Sequence, residues 1–203
     1  MPNPVAAALK AGDEVSDRHF DQIFPPSLRS LSREHWTPVR VARRAVQLLV
    51  EAGATSILDV GSGPGKFCLV GALTTSLAFT GVERRRFLVE AARLAAARLG
   101  VRGVRFSEGN IVDFDFQPYD GFYLFNPFFE QVGRRVPPID GEVGHSRRLY
   151  RIYVAAIERK LAAARRGTAV VTYHGFGGTV PLDYEEVVEE RVGNAELVLW
   201  KKL

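Results

Sequence analysis

A short apolar segment followed by three alternating glycines constrains the fold of this chain more than any other feature. Ser56–Val60 is apolar and partly β-branched, which is typical of a buried parallel strand. Gly61, Gly63 and Gly65 come next and allow a tight turn of the backbone. A helix is predicted from about Lys66, so backbone N–H groups and a helix start come close to any ligand at this turn. The segment predicts a cofactor loop, although such a turn can also simply join a strand to a helix.

The same alternation of short apolar runs and helical stretches continues along the chain. Strands are predicted at 56–60, 78–83, 104–107, 121–125 and 168–173. Two further strand-like runs, 184–192 and 195–200, are joined by Gly193 and Asn194 as a hairpin. The elements predict an α/β fold: a doubly wound, mostly parallel seven-strand sheet with a C-terminal antiparallel hairpin.

Helices are predicted where apolar residues recur at helical spacing. One begins with Thr37 as a hydroxyl N-cap ahead of Pro38 and runs to Gly53. Another spans 84–99 and carries on one side Phe87, Leu88, Ala91, Leu94, Ala95 and Leu99. The first 36 residues show no strand signal, and we expect one or two short helices broken at a proline pair. We therefore divide the chain into an N-terminal helical lid or extension, 1–36, and a main domain, 37–203.

Composition excludes several classes of protein. The 203 residues are 46% hydrophobic and 25% charged, as in an ordinary globular protein. The single cysteine, Cys68, excludes a disulfide scaffold and fits a reducing compartment. No apolar stretch is long enough to span a membrane and no secretory signal is seen, so we expect a cytoplasmic protein. The net charge of +4 is scattered, so nucleic acid is possible as a partner but not favoured. His19, His35 and His145 lie in separate segments with no ligand spacing, and no metal site is expected.

Two acids strengthen the cofactor interpretation. Asp59 lies inside the first strand, and Glu83 ends the next one, near the roughly 20-residue spacing at which a Rossmann carboxylate takes the ribose hydroxyls. A nicotinamide-binding loop would carry its third glycine where Lys66 stands, which disfavours that cofactor.

From about Thr37 to Leu203, the chain resembles the class I S-adenosylmethionine-dependent methyltransferases. The resemblance rests on the acid and glycines of the first strand, the acid of the second, the Gly109–Asn110 turn, and the terminal hairpin. It implies S-adenosyl-L-methionine as cofactor, with the methionine part at Gly61, Ser62, Gly63 and Gly65. It also implies Asp59 at the amino group, Glu83 at the ribose, and Asn110 and Ile111 at the adenine.

The fourth strand ends in Asn126, Pro127, Phe128 and Phe129, which resembles a shortened Asn-Pro-Pro-aromatic motif of amino methyltransferases. Phe128 replaces the second proline. The resemblance implies that the Asn126 oxygen and the Pro127 carbonyl orient an acceptor nitrogen, with Phe128 and Phe129 as substrate contacts. His174, after the fifth strand, is a further substrate-binding candidate. Asn126 and Pro127 can also be read as a strand-terminating turn, and His174 as an ordinary loop histidine.

These observations predict direct methyl transfer, to a nitrogen of a protein or a small molecule. Phe20, Phe24 or Trp36 is expected to cover the site, and Glu130, His174 or solvent to take the proton of a protein amine. The long polar stretch 131–148 could set specificity or be a solvated loop. The alternatives are a catalytically inactive S-adenosylmethionine-binding module and, less favoured, a nicotinamide-dependent oxidoreductase.

Overall fold

A computed structural model describes residues 3–133, 139–140 and 146–203. The strands are β1 (Ser56–Val60), β2 (Ala78–Glu83), β3 (Val104–Glu108), β4 (Gly121–Phe125), β5 (Ala169–Tyr173), β6 (Tyr184–Val192) and β7 (Ala195–Lys202). The helices are α1 (Pro4–Ala11), α2 (Asp17–Phe20), α3 (Pro26–Arg29), α4 (Ser32–His35), α5 (Val39–Glu51), α6 (Lys66–Thr74), α7 (Arg86–Leu99) and α8 (Arg147–Ala162). Short 3-10 turns occupy Asp21–Ile23 and Phe129–Gln131.

The strands form one sheet in the order β3-β2-β1-β4-β5-β7-β6. Strands β1 to β5 pair in parallel, and β7 runs antiparallel to both of its neighbours. The predicted doubly wound sheet with a terminal hairpin is therefore confirmed. Because β1 lies between β2 and β4, the strand order reverses there, and ligands of such sheets bind beyond the carboxyl ends of the strands at this point.

Two hydrophobic clusters cover the two faces of the sheet. Strand β4 shows the alternation: Tyr123 belongs to the cluster with α5, α6 and α7, whereas Phe122 and Leu124 belong to the cluster with α8. On the first face Phe67 of α6 stacks on Tyr123, with ring centroids 3.9 Å apart. Cys68 is fully buried in the same cluster, as predicted.

The N-terminal segment is more finely divided than the sequence suggested. It forms α1 to α4 and a 3-10 turn, because Ser16 caps α2 through a bond from His19 N (3.2 Å) and Pro26 starts α3. Its apolar side chains, among them Phe20 and Phe24, join the first core cluster.

A buried ammonium group holds this segment against α6. Lys66 is 2% exposed, and its Nζ lies 2.7 Å from Asp17 Oδ1, 2.8 Å from Asp21 Oδ1 and 3.1 Å from Ser32 Oγ. Buried charges of this kind are costly unless paired, so the segment and the start of α6 hold together as one unit.

The predicted Thr37 cap is wrong. The Thr37 hydroxyl hydrogen-bonds to the hydroxyl of Tyr123 at 3.0 Å, and the N–H of Val39 donates instead to Asp17 Oδ1 at 2.8 Å. A distant carboxylate thus supplies the acceptor that the adjacent hydroxyl was expected to supply.

The predicted apolar side of α7 is wrong at two positions. Phe87 is 42% and Leu94 60% exposed, while Val89 and Ala92 are buried. The helix begins at Arg86 rather than Arg84, because the N–H of Arg85 is bound by the Glu83 carboxylate at 2.9 Å. Among the described residues, no helix is long and apolar enough to cross a membrane.

Candidate active site

A cavity of about 460 Å³ opens beyond the carboxyl ends of β1, β2, β4 and β5. It brings together most of the site residues predicted from the sequence: Gly61, Gly63, Glu83, Asn110, Ile111, Asn126, Pro127, Phe128, Phe129 and His174. Asp59, Ser62 and Gly65 are not part of its wall. Trp36 is, whereas Phe20 and Phe24 are fully buried in the core and do not line it.

The three glycines of the loop after β1 all have positive φ, at 74°, 55° and 81°. A Cβ atom on Gly61 would lie 3.1 Å from Cβ of Pro127, and one on Gly63 would lie 3.6 Å from the Trp36 ring. On Gly65 it would lie 2.4 Å from the Phe106 ring, a clash inside the core. The first two glycines shape the cavity, and the third allows close packing beneath it.

The N–H groups of this loop are mostly used within the protein. Gly61 and Ser62 both donate to the carbonyl of Val82 at 3.0 Å, and Gly63 donates to Glu83 Oε2 at 3.1 Å. These bonds fix the loop to the end of β2. The loop therefore offers a ligand close approach rather than a set of open donors, contrary to the expectation from its glycines.

Asp59 is buried between β1 and α6. It is 4% exposed, and the Cys68 thiol donates to its Oδ2 at 3.5 Å. Burial raises the pKa of Asp59 to about 7; the Cys68 bond opposes this rise and the charge of Glu83 adds to it. Burial likewise raises the pKa of the Cys68 thiol well above its ordinary value.

Glu83 lies in the wall of the cavity, 7% exposed. One oxygen accepts the N–H of Gly63 and the other the N–H of Arg85. A carboxylate has about four lone-pair sites, so further donors can still bind there. The carboxylate is thus oriented by the backbone and retains acceptor capacity toward the cavity.

The turn after β3 forms the neighbouring wall. The N–H of Gly109 donates to the carbonyl of Glu83 at 3.0 Å, which places the turn beside β2. The side-chain oxygen of Asn110 accepts the N–H of Val112 at 3.1 Å, so part of its acceptor capacity is used in the turn. Ile111 is 7% exposed and gives the wall an apolar surface.

Two non-glycine residues with positive φ stand at the ends of adjacent strands. Asn126 follows β4 with φ of 34°, and His174 follows β5 with φ of 58°. The backbone of Asn126 is fixed on both sides, because its N–H donates to Gly175 O at 2.9 Å and its carbonyl accepts from Phe129 N at 3.1 Å. Backbone strain of this kind concentrates at functional sites. The side chain of Asn126 is half-buried at the cavity wall and makes no hydrogen bond within the described part of the chain.

The two phenylalanines after Pro127 have different surroundings. Phe128 is 6% exposed and stacks on Tyr153 of α8, with ring centroids 5.0 Å apart. Phe129 is 43% exposed at the rim of the cavity. Phe128 therefore supports the wall through packing, and Phe129 is open to a ligand.

Comparison with known proteins agrees with this geometry. Residues 51–128 match the family model described as a methyltransferase domain. This segment of the chain is similar to a methyltransferase domain. The matched segment runs from the end of α5 through the glycine loop, Glu83 and Asn126 to Phe128, so it includes half of the residues that line the cavity.

Solved structures show the same fold at low sequence identity. An RNA methyltransferase from Salinibacter ruber, solved with S-adenosyl-L-homocysteine, is 19% identical with a TM-score of 0.59, covering 82% of this chain and 92% of that one. TrmN from Thermus thermophilus is 18% identical with a TM-score of 0.59, covering 92% and 53%. The N-methyltransferase NodS from Bradyrhizobium japonicum is 12% identical with a TM-score of 0.55, covering 79% and 93%. A search of curated proteins found no significant match.

The cavity fits S-adenosylmethionine, the cofactor that the sequence resemblance implies. Glu83 keeps acceptor capacity for a diol, and Gly61 and Gly63 leave room where a side chain would meet Pro127 or Trp36. Asp59 is 4% exposed and lies outside the cavity wall. It can therefore act on the cofactor only indirectly, by supporting the glycine loop or through its charge.

Arg85 lines the cavity and was not predicted as a site residue from the sequence. Its guanidinium bonds Glu130 Oε2 and Asp140 Oδ2, both at 2.7 Å, and lies 4.0 Å from Glu83. The other oxygen of Glu130 accepts the N–H of Ile139 at 2.9 Å. The only sequence signal was the run of three arginines, 84–86, directly after β2.

Part of the stretch 131–148 lies outside the described residues. This holds for 134–138 and 141–145, which include Arg134, Arg135, Pro137, Pro138, Glu142 and His145. No group of three or more residues able to hold a metal ion occurs in the described part of the chain.

Proposed function

We propose that this methyltransferase transfers the methyl group of S-adenosylmethionine to a nitrogen atom of a protein or small-molecule acceptor. The observation that carries the proposal is the position of Asn126. It lies in the same cavity as Gly63 and Glu83, in a strained backbone conformation, and its half-buried side-chain amide makes no hydrogen bond to a described residue. An amide held in this way can accept a hydrogen bond from an amine and orient it.

The contact between Gly61 and Pro127 supports the same role. The 3.1 Å distance from a Cβ on Gly61 to Pro127 means that the end of β4 closes directly over the cofactor loop. The Pro127 carbonyl and the Asn126 amide therefore border the space in which the methionine part of the cofactor is expected. When bound, the cofactor supplies an electrophilic methyl carbon, and the residues around it mainly need to hold a nucleophile in line and exclude water.

Aromatic rings surround the acceptor side of the cavity. The Phe125 ring centroid lies 5.2 Å from that of Tyr173 and 5.7 Å from that of His174, and all three residues line the cavity. Aromatic faces bind planar groups by stacking and amines by cation–π attraction. Such a wall suits an acceptor that carries a planar group or an amine.

The proton of an amine acceptor leaves through His174 or solvent. Glu130 is unsuited, because Arg85 and the N–H of Ile139 occupy its two oxygens. His174 is exposed at the cavity wall, where it can exchange protons with water. The transfer needs no covalent bond to the protein.

The test is transfer of a labelled methyl group from S-adenosylmethionine to separated protein, small-molecule and RNA fractions of a cell lysate. We expect label in the protein or small-molecule fraction, on nitrogen, and much less label with Asn126→Ala. The RNA fraction is included because the similar Salinibacter enzyme is an RNA methyltransferase. Label confined to RNA would overturn the proposed acceptor class. Binding of S-adenosylhomocysteine without transfer to any fraction would favour the alternative, an inactive cofactor-binding module.

A further inference from the structure

The indole nitrogen of Trp36 is a buried donor without an acceptor among the described residues. Trp36 is 5% exposed, its Nε1 is closed off from solvent, and the residue lines the cavity. An indole N–H can only donate, and a buried donor left unpaired costs free energy. Buried polar groups in native proteins nearly always have a hydrogen-bond partner. An acceptor on a bound molecule would supply that partner and remove the cost.

The Trp36 ring lies against the cofactor loop. A Cβ atom on Gly63 would lie 3.6 Å from Cδ1 and 3.7 Å from Nε1 of Trp36. Gly63 is the loop residue at which the methionine part of the cofactor is expected. The carboxylate of that part is the only anionic group of the cofactor, and it needs hydrogen-bond donors once it leaves water.

The obvious donors of the loop are already used. The N–H groups of Gly61 and Ser62 go to Val82, and that of Gly63 goes to Glu83. The nearest cation in sequence, Lys66, is bound by Asp17, Asp21 and Ser32. The Ser62 hydroxyl is unpaired, but it lies against Gly81 and outside the cavity wall. We therefore expect a donor for a carboxylate beside Gly63 to come from outside the loop.

We propose that Trp36 binds the carboxylate of the cofactor's methionine part through its indole N–H. The proposal rests on the proposed function, since it takes S-adenosylmethionine as the ligand. Because Trp36 follows α4 in the segment that Lys66 holds, this bond makes the N-terminal segment part of the cofactor site.

Trp36→Phe tests the proposal, because it removes the N–H and keeps an aromatic ring. Affinity is measured by calorimetry for S-adenosylmethionine and for decarboxylated S-adenosylmethionine, which lacks only the carboxylate. We expect roughly tenfold weaker binding of the first ligand, the loss typical of a hydrogen bond to a charged group, and unchanged binding of the second. The matched control is Trp200→Phe, the other tryptophan, whose Nε1 donates to Thr172 at 3.4 Å and which should change neither affinity.

Equal weakening of the binding of both ligands would overturn the proposal, because Trp36 would then act through its ring and not through its N–H. Unchanged binding of both ligands would overturn it as well. Wild-type protein that binds neither ligand would instead contradict the proposed function itself.

A second measurement does not depend on the folding of the Trp36 variant. In ¹⁵N-labelled Trp200→Phe protein, the single remaining indole N–H signal belongs to Trp36. It should move strongly with S-adenosylmethionine and much less with the decarboxylated compound, and equal movement with both would overturn the assignment.

Discussion

Asp59→Asn is expected to stabilise the protein at neutral and alkaline pH. Asp59 is 4% exposed, and burial raises its pKa from an ordinary 3.8 to about 7, with the Cys68 bond opposing and Glu83 adding to the rise. In the unfolded chain the carboxyl group ionises near its ordinary value. Because the folded protein holds the proton to higher pH, ionisation of Asp59 costs folding free energy.

The sign and size follow from the two pKa values. The cost is small below pH 4, grows between about pH 4 and 7, and is constant above about pH 7. Each unit of pKa difference corresponds to about 1.4 kcal/mol, so the full difference is up to roughly 4 kcal/mol. Asparagine carries no charge and keeps an oxygen that can accept the Cys68 thiol, so it avoids this cost.

Urea unfolding of both proteins across a pH series measures the effect. The stability advantage of Asp59→Asn should rise with pH and level off above about pH 7. Asp120→Asn is the matched control of opposite sign. Burial alone would raise the pKa of Asp120, but bonds from Thr55 and Ser56 outweigh it and lower the pKa, so the charged form stabilises the fold. Asp120→Asn should therefore lose stability at neutral pH. An advantage of Asp59→Asn that does not vary with pH, or a loss at alkaline pH, would refute the reasoning.

Three further variants test the cavity. Glu83→Ala should weaken S-adenosylhomocysteine binding at least tenfold, because charge-assisted bonds to a diol contribute about 1.5 to 3 kcal/mol each; affinity within a factor of two of wild type in calorimetry would exclude that role. Gly63→Val should abolish binding, because a branched side chain is strained at φ of 55° and would meet Trp36; a folded variant that binds tightly would place the ligand elsewhere. Asn126→Ala should keep cofactor affinity while methyl transfer falls by roughly two orders of magnitude; turnover at the wild-type rate would make Asn126 a turn residue only.

Much of the sheet could be predicted because its signals are local. The boundaries of β1, β2 and β4 agree with the apolar runs, and Gly100 ends α7 with φ of 62°, as a C-cap glycine does. The features that failed depend on distant partners. Thr37 has the local sequence pattern of an N-cap, but the N–H of Val39 donates to Asp17, and the Thr37 hydroxyl bonds to Tyr123.

In the candidate site, too, some residues could be predicted from local sequence and others depend on distant partners. The glycines, Glu83 and Asn126 lie directly after strands, and the fold alone brings such positions to one edge. Arg85 could not be assigned from its neighbours in sequence, since its partners Glu130 and Asp140 come close only through the sheet. The place of Trp36 over Gly63 likewise depends on how the N-terminal segment packs.

The three glycines after β1 face three different neighbours, so a different part of the protein limits the space for a side chain at each of them. Gly61 is limited by Pro127 at the end of β4, Gly63 by Trp36 of the N-terminal segment, and Gly65 by Phe106 of β3. Loss of cofactor binding in a Gly65 variant would thus report a displaced strand rather than a lost ligand contact. A smaller side chain at position 106 would remove the clash of Gly65→Ala with the ring, but the strain at φ of 81° and the 3.1 Å approach to Cβ of Ala92 would remain.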